Sequence, residues 1–70
     1  MKRAPSSLDL ASRWFDTARR ALGAARSIHR LALAGQGGDV DELARVVAVL
    51  EAEQASACEA VRLAIEARRG

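Results

Sequence analysis

One short cluster, Gly35-Gln36-Gly37-Gly38, is the only turn-like segment in the middle of a 70-residue chain whose single proline is Pro5. Proline is the residue that stops a helix outright. Nothing downstream of position 5 does so. Gly23 costs about 1 kcal/mol relative to alanine but does not break a helix. The chain is therefore expected to be all-α, with helices over about 8–34 and 40–68 and a turn over 35–39. At 1.5 Å per residue each helix is roughly 40 Å long. Equal lengths and a short loop give an antiparallel hairpin. Residues 1–7 are expected to be a disordered basic tail and 8–70 a single domain.

Local signals agree with those limits. Ser6 or Ser7 can cap the first helix, with Asp9 near its positive end. Gly35 suits the left-handed position that closes it. Asp39-Val40-Asp41-Glu42 reads as a capping box for the second helix, which ends near Arg68 and Arg69 at its negative pole.

Helix one repeats alanine every seven residues, at Ala11, Ala18, Ala25 and Ala32. Trp14, Ala21 and Ile28 flank this row on one side, and Leu8, Phe15, Leu22 and His29 on the other. Helix two presents Val40, Leu43, Val47, Leu50, Gln54, Ala57, Val61 and Ala64, with Cys58 and Ile65 beside them. Both stripes have the three–four spacing of a core-facing surface. Each is wider than a two-stranded seam, and Val46, Val49 and Leu63 widen the second further. A lone hairpin leaves apolar surface in water, which monomers avoid. A four-helix bundle, made with a second copy or a helical partner, is expected to cover it.

Charge divides by helix. Residues 8–34 hold five arginines against Asp9 and Asp16, a net of +3, while residues from 39 onward hold four arginines against seven acids, a net of −3. Opposite signs favour side-by-side packing of unlike helices. Exposed pairs contribute only about 0–1 kcal/mol each, so charge selects an arrangement more than it stabilises one.

Composition narrows the function classes. Cys58 is the only cysteine and His29 the only histidine. No intramolecular disulfide is available, and a structural zinc site needs about four ligands. No cofactor or metal is expected. A lone thiol points to a reducing compartment, most simply the cytoplasm. Lys2 and Arg3 lead into Pro-Ser-Ser instead of the apolar run of a signal peptide. Arginines interrupt every stretch that approaches the roughly 20 apolar residues of a membrane span. The acid pairs Glu51/Glu53 and Asp39/Asp41 are two residues apart, on different helix sides, so no enzyme is expected. No small-molecule substrate is implied.

Three residue sets carry the remaining expectations. Trp14 and Phe15 are anchor candidates, more simply core fillers of the hairpin itself, and Cys58 is read as a small buried hydrophobe. Gln54, a polar break in the seam, can fix register, or simply mark a wet edge. His29 is read as a boundary residue. The partner-binding set is Leu8, Trp14, Phe15, Leu22, Ile28, Val47, Leu50, Gln54 and Val61. Arg19, Arg26 and Arg30 share one edge and form the alternative, a phosphate-contacting strip of an RNA- or DNA-binding bundle. The acidic second helix and the lack of interleaved aromatics weigh against it.

The run Leu31-Ala-Leu-Ala-Gly-Gln-Gly-Gly-Asp39, followed by Leu43, Val47 and Leu50-Glu51-Ala52, resembles the small helical-hairpin co-chaperones of type III secretion needle subunits. The resemblance covers residues 25–65. An arginine-rich first helix, Trp14 and the absence of tyrosine depart from it. It implies a cytosolic, non-catalytic protein that pairs with a larger helical chaperone and keeps a filament subunit monomeric. The binding surface it implies is Leu8, Phe15, Leu22, Val47, Leu50 and Val61.

Overall fold

Ser6 opens the first helix with a reciprocal cap. The Asp9 backbone N–H donates to Ser6 Oγ (3.2 Å) and the Ser6 N–H donates to Asp9 Oδ2 (3.4 Å). Two of the four orphan donors of a helix start are thereby satisfied. The computed structural model describes residues 6–69, as α1 (Ser7–Leu33) and α2 (Val40–Arg69). Ser6 and Ser7, expected with the tail, thus belong to the start of α1. The basic residues Lys2 and Arg3 lie outside the described residues.

Between the helices the backbone closes as a Schellman motif. Gln36 N–H donates to Leu31 O (2.9 Å) and Gly35 N–H to Ala32 O (3.1 Å), with Gly35 at φ +79°. That left-handed conformation is open to glycine at no steric cost. Gly38 has a second reason to be glycine. At φ +95°, a Cβ there would lie 3.2 Å from Leu43 Cδ1 and 3.6 Å from Ala32 Cβ. The chain re-enters a helix at Asp39, whose Oδ1 accepts from the N–H groups of Asp41 (3.0 Å) and Glu42 (3.2 Å).

The helices meet along alanine. Ala11, Ala18, Ala25 and Ala32 of α1 and Ala57 and Ala64 of α2 are buried, and Ala57 has no exposed surface at all. The rows match over half their length: counted from the turn, Ala11 stands opposite Ala64 and Ala18 opposite Ala57, whereas Ala25 and Ala32 stand opposite the half-buried Leu50 and Leu43. Leu22, 2% exposed, is the one large side chain fully enclosed.

With alanine along so much of the contact, most of the larger residues stand at its flanks. Trp14, expected to fill the hairpin's core, is instead 38% exposed. Cys58, expected to be a buried hydrophobe, is exposed. Phe15 is half-buried. The result measures 51 × 26 × 13 Å, a slab two helices wide and about one helix diameter thick. Domains ordinarily contain two packed layers around a core. This hairpin is one.

Candidate interaction surface

The slab has two broad faces, and named contacts assign residues to each. On the first, Trp14 Nε1–H donates to Glu53 Oε1 across the helix pair at 2.7 Å. Both line a shallow groove of about 360 Å³ with Thr17, Ala21, Val49 and Leu50. Helical spacing adds Leu10, four residues before Trp14, Ile28, fourteen after it, and Leu31. On α2, Val46 precedes Val49 by one turn and Leu63 follows it by two heptads. Leu10, Ile28, Leu31, Val46, Val49 and Leu63 are all exposed, Val49 to 66% and Ile28 to 51%.

The second face gathers Phe15, Gln54 and Cys58 around a groove that also holds Arg26 and Glu51. Arg26 Nη2 lies 3.9 Å from Glu51 Oε2, so a charged pair lies across this side. Farther along α2, Arg62 Nε donates to Glu59 Oε2 (2.9 Å) and its Nη1 to Glu66 Oε1 (2.6 Å). That bonding holds the Glu59 carboxyl below its ordinary range and raises Arg62 above its own.

The expected partner-binding set separates accordingly. Trp14 and Ile28 are exposed on the first face. Leu8, Phe15, Val47, Leu50, Gln54 and Val61 are half-buried, and Leu50 borders the Trp14 groove. Leu22 is the correction: its own chain encloses it, because it stands beside the alanine row at mid-helix, and it offers nothing to a partner. Val46, Val49, Leu63 and Ile65, expected only beside or beyond the second stripe, are exposed outside the expected set, as is Leu33, seven residues after Arg26 on the second face, and so are Leu10 and Leu31. The signal for Leu10 and Leu31 was the i+4 step from Leu10 to Trp14 and the i+3 step from Ile28 to Leu31. His29 is half-buried, as a boundary residue should be.

Of the three arginines in the alternative strip, Arg19 and Arg30 are exposed and Arg26 has Glu51 beside it. Asp39 is occupied in capping α2, Glu51 faces Arg26 and Glu53 accepts from Trp14. Among the described residues no group of three metal-ligating side chains comes together. No helix there is long and apolar enough to cross a membrane.

Surface area measures how incomplete the slab is. Its accessible surface is 5498 Å², whereas a compact monomer of this mass exposes about 4,250 Å². Granting the six undescribed residues full extended-chain area, about 900 Å², still leaves an excess of roughly 600 Å² for the remainder. The chain matches no protein-family model, no curated protein and no solved structure.

Proposed function

We propose that this chain is a non-catalytic protein–protein interaction module whose working surface is the Trp14–Ile28–Val49 face. The supporting observation is that face itself: seven large apolar side chains exposed on one side of a one-layer hairpin. A surface of that kind marks an interaction site or an aggregation liability. Hydrophobic association is the stabiliser open to a chain this small with one cysteine. Within this reading, the resemblance to type III secretion co-chaperones supplies an adaptor or chaperone role, with the face laid against another helical protein.

The test is thermal unfolding of the purified chain across a range of concentrations, with an apolar-surface dye present. The module reading expects dye binding by the uncovered hairpin, or a midpoint that rises with concentration as association stabilises the fold. A sharp, concentration-independent transition of a dye-free monomer overturns it, because the hairpin would then hide its own apolar surface.

A further inference from the structure

Resting on the module reading, we infer that the partner covering the Trp14 face is a second copy of this chain. Helix α1 of one copy packs on α2 of the other, and both glycine turns lie at the same end of the resulting four-helix bundle.

Area comes first. A standard specific interface removes about 800 Å² from each partner. The slab's excess over a compact monomer, between roughly 600 and 1,200 Å², brackets that figure. One further layer of the same size is therefore what the hairpin lacks, and an identical hairpin supplies it. A much larger partner is not needed to bring the exposed area to that of a compact fold.

Charge then chooses among arrangements. Two slabs can stack face to face by a two-fold axis parallel to the helices or by one running across them. The α1 arginines that border this face are Arg13 and Arg20, one turn from Leu10 and Thr17, and its α2 carboxylates are Glu42, seven residues before Val49, and Glu53. The crosswise axis sets α1 on α1 and α2 on α2 and so like charge on like, whereas the parallel axis sets α1 on α2 twice and opposes those arginines with those carboxylates. Like-charge juxtaposition is strongly disfavoured at interfaces, whereas complementary charge fixes register. Both axes keep neighbouring helices antiparallel, as in an up-down bundle, so charge makes the choice.

Heights along the helices fit this axis. Counted from the turn, Leu63 of one copy stands level with Leu10 and Trp14 of the other, and Val46 and Val49 stand level with Ile28. Large apolar groups thus meet near both ends. The small residues Ala21 and Ala24 lie between them, where backbones approach most closely.

The experiment uses the full chain. Sedimentation over 1–200 µM reads association, on the wild type and on Ile28→Glu, which places a carboxylate in the exposed apolar cluster at the turn end of the face. Leu33→Gln, on the other face, is the control. With a buried unpaired carboxylate costing at least about tenfold per copy, Ile28→Glu is expected to raise the dimer dissociation constant a hundredfold or more, and Leu33→Gln to leave it unchanged. Circular dichroism checks that the variants keep their helices. Arrangement is read by a spin label on Gln36→Cys in a Cys58→Ser background. Turns at one end give a label separation below about 30 Å, given helix spacing of 8–10 Å. Turns at opposite ends give about 45 Å, the length of α2.

A monomer throughout, a dimer indifferent to Ile28→Glu, or the long separation each overturns the inference. A monomer that still binds the apolar dye leaves the module reading standing with a different partner. A dye-free, concentration-independent monomer removes both.

Discussion

Ala57→Leu tests the premise beneath every step, that α1 and α2 close on alanine at short range. Ala57 has no exposed surface and, counted from the turn, stands opposite the buried Ala18. Leucine there adds three carbons where two backbones converge, so either the side chain leaves its preferred rotamers or the helices part. Overpacking of this kind costs about 1–3 kcal/mol. A 70-residue domain has about 4–10 kcal/mol in all. At about 4–8 °C per kcal/mol for a domain of this size, the melting midpoint should fall by roughly 4–24 °C. Ala48→Leu is the comparison. Ala48 is exposed on the same helix, away from the seam, where surface substitutions stay within about 0.5 kcal/mol. Urea unfolding followed at 222 nm, at one fixed protein concentration, measures both. Equal stability of the two variants, or a gain in Ala57→Leu, refutes close contact at Ala57. The large residues would then have no reason to be displaced outward.

Leu22→Ala should cost about 2–5 kcal/mol, about half of the fold's stability, and chemical denaturation should show a midpoint lowered in proportion. Gly23→Ala and Gly35→Ala should move stability in opposite directions. At Gly23 a methyl meets nothing within 4 Å and gains about 1 kcal/mol of helix propensity. At Gly35, with φ +79°, alanine costs roughly 1–2 kcal/mol in the left-handed region; calorimetry reads both signs. The Glu59–Arg62 bond should appear in a carbon-detected titration as a Glu59 carboxyl below the ordinary range, restored in Arg62→Ala. Because the folded value is the lower one, its contribution is complete above the ordinary glutamate range and is lost as pH falls through the folded value.

Much of the hairpin was legible in residue order. The turn needs left-handed conformations at Gly35, Gly37 and Gly38, which only glycine adopts freely, and the helix ends carry their own caps. What residue order does not state is which line within a broad apolar stripe becomes the contact. Trp14 and Phe15 were the natural core candidates by size, and Leu22 a natural partner contact. Rotating each helix a few tens of degrees exchanges those roles. The rotation is fixed where the alanine row of α1 meets Ala57 and Ala64 toward one end and Leu50 and Leu43 toward the turn, a long-range match that neither helix shows alone. Cys58 stands one residue past the seam residue Ala57 and turns outward for the same reason. Trp14 gained a partner that stripe patterns do not reveal, since its indole N–H needs an acceptor and Glu53 lies one helix away.

The alanine seam also explains why so apolar a chain has so little interior. Alanine removes little area from water, and at about 25 cal/mol per Å² of apolar surface its burial contributes correspondingly little. Leucines in the same row would stabilise the hairpin more, but at wider spacing and with fewer large groups left at the flanks. By closing on methyl groups, the two helices keep Leu10, Trp14, Ile28, Val46, Val49 and Leu63 outside, within reach of another molecule. The weakness of the hairpin and the size of its exposed face are one property, set by the same seven-residue repeat. Folding and association are then expected to be coupled: the second layer supplies the large-residue burial that the first gives up. Replacing the whole alanine row by leucine, with the helices set wider apart, should by the same logic weaken association, because fewer large groups would remain at the flanks.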